Sequence, residues 1–118
     1  MSARPEYKSH PLWAAAMDLA RDAYALAEGL RTDDAEASRR LRRAAVRVPA
    51  RIAGALSASA EGRTEHVLAA RGALAEVTRQ ARRAGSVPPS APDLAARAER
   101  LDPAVLFELG IPEGQPSS

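Results

Sequence analysis

Apolar residues recur along this chain in alternating steps of four and three, and that spacing restricts the fold more than any other feature. The first stripe consists of Leu12, Ala16, Leu19, Ala23, Leu26 and Leu30. On an α-helix with 3.6 residues per turn, residues spaced in this way share one face, which Trp13 widens on one side. Because no stretch of useful length alternates with period two, the sequence predicts helices and no β-sheet.

Two further stripes show the same spacing. They consist of Leu41, Ala45, Val48, Ile52, Ala55 and Ser59, and of Val67, Ala70, Leu74, Val77, Ala81 and Ala84. They predict a second helix from about Ala35 to Ser59 and a third helix that follows a turn at Glu61 and Gly62. Long helices joined by short loops pack most simply as antiparallel neighbours. The pattern therefore favours an all-α bundle of antiparallel helices.

The fourth helix is expected to be short. A proline-rich connection, residues 86–92, precedes it, and Asp93 stands near its start. Its inner face consists of Leu94, Ala98 and Leu101. Asp102 followed by Pro103 is a second helix-start signal, which predicts a separate turn that ends at Gly110.

Local signals define the boundaries of the domain. Ser9 is expected to cap the first helix, and the polar run 32–34 ends that helix and caps the next one. Residues 1–8 and 112–118 are expected to be flexible tails, which leaves one bundle domain over residues 9–111.

Pro49 interrupts the second stripe. Because proline has no N–H, it removes a hydrogen bond to the carbonyl of Ala45 and should bend the helix. The apolar positions stay in phase on both sides of Pro49. The sequence therefore predicts a kinked second helix that is not broken.

The composition limits the size of the core. Of 118 residues, 28 are alanine and only four are aromatic, so the helices approach closely but bury little apolar area. A core that buries so little apolar area gives weak support to a homo-oligomer, in which another subunit would cover further apolar surface. The absence of cysteine excludes disulfides and thiolate metal sites. No apolar run reaches the roughly 20 residues that span a membrane, and no signal peptide is apparent, so a cytoplasmic protein without a membrane partner is expected.

Patterns typical of catalytic or metal sites are missing from the sequence. His10 and His66 lie far apart and have no cysteine or i,i+4 partner, which argues against a metal site. Glu61 and Glu65 share one helical face, where such carboxylates are usually solvated. There is no glycine-rich phosphate loop and no nucleophile elbow. The sequence predicts no enzyme activity, no cofactor and no small-molecule substrate.

Arginine is concentrated in the middle of the chain. Residues 39–83, here called the basic block, contain eleven Arg and three Glu, whereas residues 1–38 and 84–118 each have a net charge of −3. On the second helix, four arginines lie within about 80° of each other at 100° per residue: Arg40, Arg43, Arg47 and Arg51. A second cluster near the end of the third helix consists of Arg79, Arg82 and Arg83. Antiparallel packing would bring the two clusters together as one basic surface.

Two interpretations of this basic surface stay open. In one, it contacts the phosphates of RNA or DNA; base readout is not expected, because the basic block has no aromatic residue for stacking. In the other, the arginines pair with the acidic flanks, or with acids of neighbouring subunits in a protein-interaction or assembly scaffold. Glu76 is expected to pair with Arg79, or to bridge to Arg42 or Arg43.

Three segments of the chain resemble a known family. They are AMDLARDAYAL after Trp13, LRRAAVRVPARIAG at 41–54 and EHVLAARGALAEV at 65–77. In order and spacing they are similar to the four-helix bundle proteins also called 23S rRNA-intervening-sequence proteins. Their pattern is W-x-x-A-x-x-L, then RRAAVSIPANIAEG, then ARGSLxE. Matching positions include Pro49, Gly72 and Glu76.

The resemblance implies an all-α, up-and-down antiparallel four-helix bundle and, as in related members, a five-fold ring, so a homopentamer is expected. It also implies an association with nucleic acid. Some relatives are encoded in inserts within ribosomal RNA genes, and similar basic pentamers assist retroelement reverse transcriptases. The chain departs from the family pattern at Arg47, where serine is usual, and at Arg51, where asparagine is usual. Gly54 and Ala55 replace Glu-Gly. A role that depends on the family's asparagine or glutamate is therefore not implied.

Overall fold

Four α-helices make up most of the chain. The computed structural model describes residues 6–85 and 90–110, in which a 3-10 helix (Glu6–Ser9) precedes the first α-helix. The helices are α1 (Pro11–Leu30), α2 (Ala35–Ser57), α3 (Ala60–Ala84) and α4 (Ser90–Leu109). No strand occurs among these residues.

Each helix packs against the next helix along the chain, and a sparser contact between α1 and α4 closes the bundle. The Arg83 guanidinium, at the end of α3, lies 2.9 Å from the Asp34 carboxylate, which caps the start of α2. That contact requires α2 and α3 to run in opposite directions. The predicted all-α four-helix bundle is confirmed.

The predicted apolar stripes form the core. Five of six predicted positions are buried in each of the first three helices. The exceptions are at the helix ends. Leu30 and Ala84 are half-buried, and Ser59 is exposed just before α3. Trp13 packs against the core and makes an edge-on contact with Tyr7, with 5.5 Å between the ring centroids.

The cap of α1 is one residue later than predicted. The Nδ1 atom of His10 accepts a hydrogen bond from the backbone N–H of Leu12 at 3.0 Å, and Pro11 is the first helical residue. Ser9 instead donates its hydroxyl proton to the carbonyl of Glu6 in the 3-10 helix. An imidazole nitrogen replaces the expected hydroxyl because the chain makes an extra turn before α1.

The helix α2 continues through Pro49, as its apolar phase predicts. Pro49 is buried, and the carbonyl of Ala45 cannot receive the usual backbone hydrogen bond at that position. The buried positions Val48 and Ile52, on either side of the ring, keep the helix directed at the same core.

The fourth helix is longer than predicted. It spans Ser90–Leu109 without interruption and, at 20 residues, equals α1 in length. Pro103 lies inside it, and the side chain of Asp102 pairs with Arg71 of α3 rather than capping a new helix. The helix continues because Val105 and Leu109 extend the apolar face beyond Pro103 and are buried.

Other boundary predictions differ in detail or lie outside the described residues. Glu61 and Gly62 were expected in a turn but belong to the first turns of α3. Of the predicted N-terminal tail, residues 6–8 belong to the 3-10 helix and residues 1–5 lie outside the described part. The predicted C-terminal tail, 112–118, also lies outside it.

Asp34, which caps the start of α2, should make the stability of the fold depend on pH. The backbone N–H of Ala37, and then the guanidinium of Arg83, hold the pKa of Asp34 below its ordinary value of 3.8. A lowered pKa stabilises the fold above the ordinary value, and that contribution is lost as the pH falls below 3.8 through the folded-state pKa. Asp34→Asn, which retains a capping side chain, should lower the melting temperature at neutral pH but not in strong acid.

Thermal unfolding followed by circular dichroism over a pH series checks this prediction. Asp33→Asn is the control, because the exposed Asp33 has no ion pair within the described residues. A difference between wild type and Asp34→Asn that stays constant down to strong acid would contradict it.

Candidate functional site

A groove of about 560 Å³ runs between α2 and α3 on the outside of the bundle. Its α2 side consists of Glu36, Arg39, Arg40, Arg43, Ala44 and Arg47, and its α3 side of Ala69, Gly72, Ala73 and Glu76. Small side chains form the floor, and charged side chains stand around it. The arginines therefore border a depression rather than a flat surface. We call this the α2/α3 groove.

Three arginines of the basic block pair with acids of the flanking segments. Two parallel hydrogen bonds, 2.8 and 3.2 Å, join Arg71 of α3 to Asp102 of α4, and this carboxylate raises the pKa of Arg71. Arg82 pairs with Glu99 of α4, and Arg83 pairs with Asp34. For these three residues the salt-bridged interpretation of the basic block is correct.

Three more arginines pair within their own helix. Arg40 donates to Glu36 at 2.9 Å, and Arg39 lies 3.6 Å from the same carboxylate. The hydrogen bond from Arg40 lowers the pKa of Glu36, and the same bond raises the pKa of Arg40. Arg79 pairs with Glu76. Such exposed pairs contribute little to stability, but they reduce the charge available to another anion.

Three arginines bond to groups other than carboxylates. Arg42 donates to the hydroxyl of Ser38 at 3.1 Å, and Arg63 donates to the carbonyl of Ala55 at 3.2 Å. Arg51 lies 3.2 Å from Nδ1 of His66 on α3 and does not line the α2/α3 groove. The structure thus separates Arg51 from the other members of the predicted stripe.

Arg43 and Arg47 are different from the rest of the basic block. Nine of its eleven arginines have a hydrogen-bond or ion-pair partner, whereas these two have none within residues 6–85 and 90–110. Both are exposed, lie one helical turn apart and line the α2/α3 groove. Of the seven arginines predicted as contact residues, this pair is the one without a hydrogen-bond or ion-pair partner among the described residues.

Glu76 lies on the α3 side of the groove with a side chain that is 22% exposed. One carboxylate oxygen accepts from Arg79, which matches the simpler prediction. The other accepts from Nε2 of Gln80 at 2.7 Å, a contact that the sequence analysis missed. No hydrogen bond or ion pair joins Glu76 to Arg42 or Arg43 within the described residues.

Gln80 is a polar residue in the core. It is only 4% exposed, and its Oε1 atom has no hydrogen-bond partner in the described part of the chain. Its position one turn after Glu76, on the same side of α3, was the only sequence signal for the contact. The bond from Gln80 holds the Glu76 carboxylate at the edge of the groove.

The described residues also bear on metal ions and on membranes. No group of three or more His, Asp or Glu side chains there is placed to hold a metal ion. In the same ranges, no helix combines the length and the hydropathy that crossing a membrane requires. A second groove, between α3 and α4, contains the Arg71–Asp102 pair, whose charges already satisfy one another.

Comparison of the chain with protein-family models, with curated proteins and with solved structures gave no match. The resemblance to the four-helix bundle proteins therefore rests on the three segments themselves. In the fold, segment 41–54 lies within α2 and segment 65–77 within α3, so both contribute to the α2/α3 groove.

The two glycines of these segments should respond in opposite ways to substitution by alanine. A Cβ atom at Gly72 would meet nothing within 4 Å, whereas a Cβ atom at Gly54 would lie 2.6 Å from the ring of His66. Gly72→Ala should raise the free energy of unfolding by about 1 kcal/mol, the usual gain inside a helix. Gly54→Ala should not show this gain, because the His66 ring must move and lose its contact with Arg51.

Urea unfolding at low protein concentration measures both effects. In a His66→Ala background the clash is removed, so Gly54→Ala should then stabilise the fold by about 1 kcal/mol. Equal effects of Gly54→Ala in the two backgrounds would show that the His66 contact is unimportant.

Proposed function

We propose that this protein is a non-enzymatic, homo-oligomeric helical bundle that binds the phosphate backbone of RNA or DNA without sequence specificity. Arg43 and Arg47 in the α2/α3 groove are the proposed contact residues. The observation that supports this most is their lack of any partner among the described residues, in a block where nine other arginines have one.

The chemistry of the groove suits a phosphate group. Guanidinium groups present several N–H donors in a plane and bind phosphate oxygens in pairs. Arg43 and Arg47 stand one turn apart, about 6 Å along the helix axis. The small floor at Ala44, Gly72 and Ala73 allows a chain of phosphates to approach the helices closely.

Backbone contact, and not base recognition, is the proposed mode. Recognition of unpaired bases relies on aromatic side chains that stack on them, and none lines the α2/α3 groove. Binding would then come mainly from the release of counterions from the nucleic acid.

Assembly into a ring would increase the strength of such binding. The resemblance to the four-helix bundle proteins supports a homopentamer, and the alanine-rich core is in keeping with a subunit that buries further surface in an oligomer. Several grooves on one particle would act together on a single nucleic acid strand.

A second candidate function is an assembly scaffold with no nucleic-acid role. The observation in its favour is the exposure of two large apolar residues, Val46 at 59% and Leu68 at 60%, on the two helices that form the groove. Isolated exposed apolar residues are common in proteins. In this alternative, Arg43 and Arg47 would pair with acids of a neighbouring subunit.

Substitution of Arg43 and Arg47 by glutamine should weaken nucleic-acid binding and lessen its salt dependence. Each lost phosphate contact reduces the slope of log K against log salt by about 1, so the double variant should lose about 2 per subunit. Fluorescence anisotropy with a labelled RNA and a labelled DNA duplex over a salt series measures both quantities.

The matched control is Arg21→Gln with Arg100→Gln, which removes the same charge from exposed positions on α1 and α4. The control should bind nearly as well as the wild type. Absence of wild-type binding at low salt would reject the nucleic-acid proposal. Equal losses in the two double variants would reject the assignment to the groove.

Glu76→Gln should strengthen binding. The substitution removes a negative charge from the groove and releases Arg79 from its ion pair, while an amide oxygen still accepts hydrogen bonds. One like charge at about 4 Å in water costs about 1 kcal/mol, so the affinity should rise about fivefold. Glu99→Gln is the control, since it releases Arg82 outside the α2/α3 groove. An unchanged or lower affinity of Glu76→Gln would contradict the proposed position of the phosphate.

A further inference from the structure

The outward face of α3 has an asymmetric pattern of charges, which contacts within the bundle only partly neutralise. Six exposed residues lie within about 60° of each other at 100° per residue: Glu61, Glu65, Leu68, Gly72, Arg79 and Arg83. We call them the α3 stripe. Its N-terminal half is acidic, its C-terminal half is basic, and its centre is apolar.

The acidic half has no partner within the described residues. Glu61 and Glu65 form no hydrogen bond and no ion pair there, although eleven arginines occupy the same block of sequence. In the basic half, Arg79 and Arg83 contact Glu76 and Asp34. Each guanidinium has five N–H donors and can bind a second carboxylate.

The centre of the stripe is a glycine that the monomer does not require. Gly72 lies inside a helix, where glycine is less favourable than alanine. A Cβ atom there would meet nothing within 4 Å, and Gly72 has no positive φ angle. Leu68 beside it is 60% exposed. A smooth apolar centre of this kind allows another helix to approach closely.

The charges of the α3 stripe are complementary to those of a second copy that runs in the opposite direction. Glu65 and Arg79 each lie seven residues from Gly72, and Glu61 and Arg83 each lie eleven residues from it. Seven and eleven residues are close to two and three helical turns, so all these positions stay on one face. Two antiparallel copies of α3 crossing at Gly72 would place each glutamate beside an arginine of the other copy.

We propose that the α3 stripe is a two-fold contact between two copies of this chain, with Gly72 at the crossing point. Leu68 of each copy packs beside Gly72 and the exposed Ala75 of the other. Four ion pairs flank this apolar centre, and the antiparallel direction also opposes the two helix dipoles. The contact joins the same surface on both copies, unlike a ring contact, which joins two different surfaces.

Charge reversal tests the pairing. Glu65→Arg and Arg79→Glu should each weaken self-association at least tenfold, as measured by sedimentation over a concentration series. An equimolar mixture of the two variants should restore it, because every reversed charge then meets an opposite one. Unchanged association of both single variants, or no recovery in the mixture, would overturn the proposal.

A cysteine at the crossing point tests the two-fold axis, even if a charge variant does not fold. The chain has no cysteine, so Gly72→Cys introduces one thiol, at a site with room for a side chain. Under mild oxidation it should form a disulfide-linked dimer, because the two residues lie side by side. Ala25→Cys, at an exposed position of α1, is the control and should stay monomeric on a denaturing gel. Equal rates of cross-linking in the two variants would overturn the proposal, whether or not nucleic acid binds.

Discussion

The unbroken apolar register of the four helices is the constraint on which the rest of the structure depends. Two prolines, Pro49 and Pro103, lie in helix interiors, where each costs about 3 kcal/mol. Beyond Pro103, the buried side chains of Val105 and Leu109 are each worth about 1.5–3 kcal/mol. Continuing the helix therefore offsets the local penalty, and the same comparison holds for Pro49, which Ile52 follows into the core. The register fixes which side of each helix faces the core, and the short loops make consecutive helices neighbours.

Which arginines of the basic block are neutralised depends on which helices are neighbours. The antiparallel arrangement sets the end of α3 beside the start of α2, and the middle and end of α3 beside α4. Asp34, Glu99 and Asp102 therefore neutralise three arginines of α3. The middle of α2 has no such neighbour: it faces small residues of α3, and Glu76, the acid on the α3 side of the groove, already bonds to Arg79 and Gln80. A net positive groove remains where the acidic flanks do not reach.

The sequence predicted the core and the neighbours better than the pairing of side chains. Periodicity depends on the backbone alone, so Leu41 and Ile52 could be assigned to the core without coordinates. Whether Ser9 or His10 caps α1 depends on where the preceding 3-10 helix ends, which differs by a single residue. The length of α4 depended on whether the burial of Val105 and Leu109 outweighed the cost of Pro103 in the helix. The sequence alone could not show that Arg43 and Arg47 lack an acidic partner. That depends on where the acids of three helices lie along the bundle axis.

The α2/α3 groove and the α3 stripe meet at Gly72, so the two proposed contacts cannot be independent. A two-fold contact at Gly72 would bring two grooves alongside each other, with Arg43 and Arg47 of both copies on either side of the axis. Four uncompensated guanidinium groups in one region repel one another and oppose association. A polyanion that spans both grooves would remove this repulsion and so strengthen the association of the two copies. By thermodynamic linkage, association of the copies must strengthen the binding of the polyanion by the same factor. A Cβ atom at Gly72 would meet nothing within 4 Å in the monomer, so the absence of a side chain there is explained by the close approach of a second helix in the proposed two-fold contact.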